Sequence, residues 1–424
     1  MARKQGRKKS NAEQVDAQTI DHLFSLSGGR ADRWRNLNAA ARAWAEGRGT
    51  SEAVQAAYDE LGVLEDYFAF PGKSLMATLA ERIEEGSASG TADLVRRLSD
   101  SILTRSYKHN ANEWETAELL ADAPSDLTTS NFGHAGGQRP YFEMLLVSPG
   151  GSAASDRQVK EIRKLRRPED HFVYEGVPVS SFEDALCAIL INPAIAAVTI
   201  FDGFTFASHH DAPILRGFLA SVGFDEGKID AEDVSLALAA AIKKIRPDLD
   251  IYLLTDRAVE RLSGDRRTGV IRRVLYAVEE LLELHLSVLE GIADRYRTPF
   301  FDNLKSYATR PISTFHALPI ARGKSVFKSD WIRDMGEFYG LNIFLAESSA
   351  TTGGLDSLLE PTGNIKEAQE KAARAFGANH VYFVTNGTST SNKMVHQALI
   401  APGDIVILDR NCHKSNHYGL VLSG

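Results

Sequence analysis

From Tyr141 onward the chain alternates short apolar runs with helical segments, and nothing else in the sequence constrains the fold as tightly. Residues 142–147, 171–177, 196–201 and 251–254 read as strands, and residues 156–165 and 182–191 as helices between them. Strands that follow one another through crossover helices build a parallel sheet. Such a sheet must be covered by helices on both faces. The spacing therefore predicts a doubly wound α/β region between residues 140 and 262.

The layout expected there is flavodoxin-like, which raises the question of a phosphorylatable receiver. Such a domain gathers acids at the carboxyl ends of its strands to hold Mg²⁺ beside an acceptor aspartate. Asp202 follows a strand as an acceptor would. The first strand, however, ends in Ser148-Pro149-Gly150 and supplies no acidic pair, and the last ends in Thr255-Asp256, where a receiver has lysine. The expectation is a scaffold of receiver-like shape without its chemistry.

Before this region, residues 21–139 read as a helical extension. Leu23, Trp34, Leu37, Ala41 and Trp44 recur at helical spacing, as do Leu75, Leu79 and Ile83, and Leu94, Leu98 and Ile102. Pro71-Gly72 separates two helices. Trp34 and Trp44 read as core. Residues 1–20 open with five basic residues in the first nine and read as a disordered, solvated tail.

After the sheet, residues 263–310 read as a linker. Ile271, Val274, Leu275, Val278, Leu282, Leu289 and Ile292 predict one long amphipathic helix over 270–292, ended by Thr298-Pro299-Phe300-Phe301.

Composition narrows the partners. A net charge of −8 argues against general nucleic-acid binding. Two cysteines, Cys187 and Cys412, make no disulfide framework and no zinc spacing. No apolar run reaches the roughly 20 residues of a membrane span, and no apolar segment suited to a signal peptide follows the basic start. A reducing compartment, the cytoplasm, is expected.

The chemistry is expected in the last fifty residues. Residues 364–377 predict a helix with Ile365, Ala368, Ala372 and Phe376 on one face and Gly377 as its stop. A strand over 381–384 would deliver the chain to Asn386-Gly387, after which Thr388, Ser389 and Thr390 open another helix. The turn Pro402-Gly403-Asp404 precedes a second strand over 405–408 and then Asp409-Arg410-Asn411-Cys412-His413-Lys414-Ser415. A glycine turn at a helix N-terminus, with hydroxyl residues beside it, can cradle a phosphate. It is equally the pattern of a plain turn and N-cap. The spacing is not that of a Walker loop. His413 falls at the strand edge where ligands of open α/β sheets collect, and it can stack on a planar ring or move a proton. A lone histidine is more often structural. Lys414, its neighbour, should point elsewhere.

The run Phe383-Val384-Thr385-Asn386-Gly387-Thr388-Ser389-Thr390-Ser391-Asn392-Lys393, with the segment Asp409 to Ser415, resembles the pyridoxal-phosphate-dependent ornithine/lysine/arginine decarboxylases of bacterial fold type I. Gly354-Leu355-Asp356-Ser357-Leu358-Leu359-Glu360-Pro361-Thr362-Gly363, Lys366-Glu367-Ala368-Gln369 and Arg297-Thr298-Pro299-Phe300-Phe301 also match that family. The resemblance is close over residues 297–424. It implies that residues 311–424 are the N-terminal portion of the cofactor domain and residues 140–262 a pseudo-receiver wing.

By the same resemblance, Gly387, Thr388 and Ser389 would bind the phosphate of pyridoxal 5′-phosphate, and His413 would stack on its pyridine ring. The family's Schiff-base lysine and the aspartate facing the pyridine nitrogen lie far downstream of such a segment, so these 424 residues are expected to be incomplete for catalysis. The family's substrate is a basic amino acid and its product an amine or polyamine precursor. A homodimer or larger homo-oligomer is implied, with residues 348–359 expected to reach a neighbour's site. One departure is Phe315-His316-Ala317-Leu318-Pro319, where many members carry Pro-Gly-His. Two alternatives stay open at this point. One is another fold type I enzyme, an aminotransferase or lyase. The other is a non-catalytic scaffold or regulatory subunit.

Overall fold

The computed structural model describes residues 29–108, 139–150, 152–209, 233–258, 262, 264–276, 281–311, 320–346 and 355–424. The basic tail, Leu23, residues 315–319 and residues 348–354 lie outside that set. The chain divides into two compact units, residues 1–295 and 296–424.

The first unit begins with four helices: α1 (29–45), α2 (Ser51–Glu65), α3 (Gly72–Glu84) and α4 (Ala88–Thr104). The expected helical spacing is what packs them. Trp34, Leu37, Ala41, Leu75, Leu79, Ile83, Leu94, Leu98 and Ile102 form one buried cluster, with Trp44 against it. The break at Pro71-Gly72 is present, between the end of α2 and the start of α3.

The sheet follows: β1 (Tyr141–Val147), α5 (Ser152–Lys164), β2 (Val173–Val179), α6 (Phe182–Ile191), β3 (Ile195–Phe201), α7 (Val234–Ile245), β4 (Asp250–Thr255) and β5 (Arg273–Tyr276). All pairings are parallel and the strand order is 2-1-3-4-5, the order of flavodoxin-like sheets. Alternate residues feed opposite faces. Leu145, Val198, Ile200, Ile251 and Leu253 pack with α6 and α7, while Met144, Leu146, Tyr252 and Leu254 pack toward α5 and α8 (Leu281–Tyr296). Ser181 caps α6, its hydroxyl accepting from the Asp184 N–H at 3.0 Å.

The single helix expected over 270–292 is not there. A 3₁₀ turn (Arg266–Val270), strand β5 and helix α8 take its place. Arg273-Val274-Leu275-Tyr276 lies in register with Tyr252 to Thr255 of β4, so the apolar pair Val274-Leu275 serves a strand. A short apolar run fits either period, and here the open edge of β4 decided. The sheet thus runs past the expected boundary at 262, and the expected linker is strand and helix rather than one rod.

Among the buried polar networks of this unit are two that involve the helical bundle. Arg30 forms a two-pronged pair with Glu65 at 2.8 and 2.7 Å, and Trp34 Nε1 also donates to Glu65 at 2.9 Å. Glu143 of β1 accepts from Asn192 Nδ2 (2.7 Å), the Tyr141 hydroxyl (3.0 Å) and the Ala69 N–H (3.2 Å). The latter joins the end of the helical bundle to the sheet.

The second unit contains α9 (Pro299–Thr309), α10 (Lys324–Phe327), α11 (Arg333–Tyr339), α12 (Leu341–Leu345), α13 (Asn364–Phe376), α14 (Thr388–Leu399) and α15 (Lys414–Ser423). Thr298-Pro299 opens α9, with proline at the first helical positions where its missing N–H costs nothing. It therefore starts a helix rather than only ending one. Arg322 donates to the carbonyls of Tyr307, Ala308 and Arg310 (3.2, 2.6 and 3.0 Å) and so caps the C-terminus of α9 with a cation.

The strands expected over 381–384 and 405–408 do not form. Among the described residues of this unit no strand pairs with them, and Ile405 and Ile407 are 93% and 94% exposed. The βαβ reading of the segment fails for that reason, although its helices are present. Helix α13 does end at Gly377 in the left-handed conformation, but Phe376 is exposed and Ile365 and Ala373 carry its buried face.

Candidate functional site

The Gly387 turn survives without the strand before it. Gly387 has φ +76° and stands at the N-cap of α14 with no side-chain cap. That φ favours glycine, and a Cβ there would meet nothing within 4 Å, so the space over the turn is open. The Gly387 carbonyl takes the N–H groups of Thr390 and Ser391 at 3.0 and 3.4 Å. The N–H groups of Thr388 and Ser389, in the first turn, have no acceptor within the helix. Both residues are exposed. The Thr390 hydroxyl is turned back onto the Asn386 carbonyl at 3.1 Å.

Helix α13 supplies the contrast. Its N-terminus is filled by Asp356, whose carboxylate accepts from the N–H groups of Gly363 (2.7 Å), Thr362 (3.0 Å) and Ile365 (3.1 Å). Although burial opposes ionisation, the backbone N–H bonds from Thr362, Gly363, Ser357 and Lys366 hold the Asp356 carboxyl down to about 2. One helix start is thus occupied by the protein's own anion. The other is uncapped, flanked by Thr and Ser hydroxyls, and suited to an external one.

His413 is at the N-cap of α15. Its Nδ1 accepts from the Ser415 N–H at 3.2 Å and lies 3.0 Å from the Ser415 hydroxyl. That hydroxyl in turn accepts from Asn392 Nδ2 of α14 at 2.8 Å. A second tie joins His396 Nε2 to Asn416 Oδ1 at 3.2 Å. The two helices approach closely at Gly419, where a Cβ would sit 3.1 Å from the His396 ring. The structure therefore brings the helix that begins at Gly387 against the helix that begins at His413. Lys414 opens α15 and is exposed. The sequence did not single out Asn392 or Ser415. A serine two residues past an N-cap histidine was a usable local signal, but its bond to Asn392 spans 23 residues and had none.

A cavity of about 640 Å³ in the same unit is lined mainly by apolar groups, among them Pro299, Phe300, Leu355, Ile365 and Phe383, with Arg297, Asp356 and Lys371 also at its wall. It gathers three of the segments singled out in the sequence, 297–301, 355–359 and 383–385.

In the sheet, Asp202 is fully engaged. Ser235 donates to it at 2.5 Å, Thr255 also donates to it, and Arg257 pairs with it at 2.9 Å. An acceptor aspartate of a receiver would be free for Mg²⁺ and phosphate, whereas Asp202 is held by these three side chains. Among the described residues there is no group of three or more His, Cys, Asp or Glu that could hold a metal ion, and no helix long and apolar enough to cross a membrane.

Comparison with known proteins gives one family. Residues 298–424 match the family described as Orn/Lys/Arg decarboxylase, major domain. The chain is 35% identical over 194 residues to the constitutive ornithine decarboxylase of Escherichia coli, covering 46% of this chain and 26% of that protein. It is 29% identical over 225 residues to the lysine decarboxylase LdcA of Pseudomonas aeruginosa, covering 51% and 30%. A solved structure of the E. coli constitutive lysine decarboxylase aligns with 66% of this chain and 36% of that one, at 25% identity and a TM-score of 0.34. The matched part spans about a quarter to a third of the length of these relatives.

Proposed function

We propose that this protein decarboxylates a basic amino acid with pyridoxal 5′-phosphate, since its residues 298–424 belong to the Orn/Lys/Arg decarboxylase family. The observation that carries the proposal is the open helix start at Gly387. Its donor set suits a phosphate: two uncommitted first-turn N–H groups, two hydroxyl side chains and the positive end of the α14 dipole. The space above Gly387 leaves room for a ligand.

In this reading Gly387, Thr388 and Ser389 hold the phosphate, and His413 lies against the pyridine ring. When bound, pyridoxal phosphate supplies the electron sink that makes loss of an α-carboxylate feasible. The chain's own residues bind and orient. The turn fixes the phosphate end, which removes rotational freedom from the ring before chemistry. His413 is exposed and anchored through Nδ1, which leaves Nε2 uncommitted. Overall, a substrate R–CH(NH₃⁺)–COO⁻ loses CO₂ and takes a proton at the same carbon, giving R–CH₂–NH₃⁺. The substrate is ornithine, lysine or arginine, the amino acids after which the similar decarboxylases are named.

The remaining assignments belong to the same proposal. The parallel sheet serves as a receiver-shaped wing, α1 to α4 as an N-terminal extension, and the working protein as a cytoplasmic homodimer or larger homo-oligomer. The test uses the protein expressed from its whole open reading frame, with carboxyl-labelled ornithine, lysine and arginine. Release of labelled CO₂ from one of them, dependent on added pyridoxal phosphate, is expected. Conversion of the amino acid to its keto acid without CO₂ release would overturn it.

A further inference from the structure

We propose that Asn392 and Ser415 are positioning residues for His413: they lock its ring as the Nε2–H tautomer and couple its orientation to the helix that starts at Gly387. The relevance of the lock to a cofactor ring rests on the function proposed above; the lock itself stands on the geometry alone.

Three bonds carry it. The Ser415 N–H donates to His413 Nδ1 at 3.2 Å. Asn392 Nδ2 donates to the Ser415 oxygen at 2.8 Å, so that oxygen has spent an acceptor position and keeps its own hydrogen to give. The hydroxyl lies 3.0 Å from His413 Nδ1, within reach of its lone pair. Two donors converge on one ring nitrogen, so Nδ1 is an acceptor and the single proton of the neutral imidazole sits on Nε2. Ser415 is 2% exposed and His413 is exposed. The anchor is buried while the histidine it holds is exposed.

Coupling to the turn follows from position. Asn392 is one turn of α14 beyond Ser389, on the same rigid helix whose first N–H groups meet the phosphate. The bond between His396 and Asn416 and the close approach at Gly419 hold α15 against α14 further along. Moving the turn therefore moves the histidine. A ligand that has both a phosphate and a ring senses that coupling. A bare phosphate does not.

The test uses the full chain in two arms. In the first, the ligand-free protein is labelled with ¹⁵N-histidine and His413 is assigned with His413→Gln. Long-range ¹H–¹⁵N correlation at a pH where the ring is neutral should give the Nε2–H pattern for His413. Ser415→Ala should move the Nδ1 resonance toward that of a solvated histidine, and Ser415→Thr should restore it. An Nδ1–H pattern in the wild type, or no change in Ser415→Ala, would overturn the lock.

In the second arm, 4′-deoxypyridoxine 5′-phosphate, which has the ring and phosphate without the reactive aldehyde, is titrated beside inorganic phosphate. Asn392→Ala and Ser415→Ala should weaken the ring-bearing ligand about fivefold, the scale of one net hydrogen bond, and leave inorganic phosphate unchanged. Equal weakening of both ligands would mean a merely structural role and overturn the coupling. If the wild type binds neither ligand, the proposed cofactor site and its coupling fail together, while the first arm still decides the tautomer.

Discussion

The two units contain the same kind of apolar run with opposite outcomes. Leu145, Ile200 and Leu253 sit in strands and are fully buried, whereas Ile405 and Ile407 sit in no strand and are 93% and 94% exposed. A run such as Ile405-Val406-Ile407-Leu408 is as strand-prone as Ile251-Tyr252-Leu253-Leu254. What differs is the neighbour. Each sheet strand has a parallel partner in register, and residues 405–408 have none among those described. Side-chain pattern licenses a strand; ladder hydrogen bonds on at least one edge create it.

The comparison breaks most directly by truncation. Leu253→Ala should cost about 2 to 5 kcal/mol, because a fully buried leucine leaves a cavity. Ile405→Ala should change stability by no more than about 0.5 kcal/mol. Urea unfolding of both variants, followed by hydrogen exchange so that each unit is seen separately, measures the pair. Equal costs would place residues 405–408 in a packed core and erase the contrast.

A smaller effect sharpens a second comparison, between the starts of α13 and α14. Asp356→Ala should cost about 1 kcal/mol, the scale of a lost N-cap, and should speed exchange of the first amides of α13. Because the Asp356 carboxyl is held down to about 2, its contribution is present above the ordinary aspartate range and lost as pH falls through about 2. No such acid transition is expected at the start of α14, where no side chain caps the helix.

The smallest effects are pH slopes of one proton each, and they run in opposite directions within the sheet unit. Burial pushes the Glu143 carboxyl up, its bonds to Asn192, Ala69 and Tyr141 only partly offsetting that. Its contribution is therefore full below the usual glutamate range and is lost as pH rises through its raised folded value. Burial pushes His285 of α8 down, with the Asp170 carboxylate, 3.3 Å from its Nε2, opposing. Its contribution is present above the usual histidine range and lost as pH falls through its lowered folded value. Glu143→Gln should flatten the first slope and His285→Gln the second in thermal melts across pH. A flat wild-type profile in both windows would contradict the two burial effects.

How much was legible in the sequence depended on how local the cause was. The helix over 182–191 and the core positions Trp34, Leu37 and Leu79 were readable, because helical spacing and a Ser181 cap are short-range signals. Strand β5 was misread because Val274-Leu275 satisfies a helical and a strand period alike, and the choice belonged to the distant edge of β4. In the site, the glycine turn, the hydroxyls and His413 lay in plain sight. The Asp356 cap and the Asn392–Ser415 bond did not, since each joins residues through a loop or between helices with no local signature. The filled and open helix starts look alike in sequence; only the loop that returns Asp356 to α13 tells them apart.

The central claim is that the Gly387 turn binds the phosphate of a pyridoxal-type cofactor. It is tested most directly by ³¹P NMR of 4′-deoxypyridoxine 5′-phosphate titrated with the wild-type chain and with Gly387→Val. Valine at φ +76° must strain or rebuild the turn. A phosphorus resonance that shifts and broadens with the wild type, saturably, and stays at its free position with Gly387→Val is the predicted result. The same shift with both proteins, or with neither, would contradict the account.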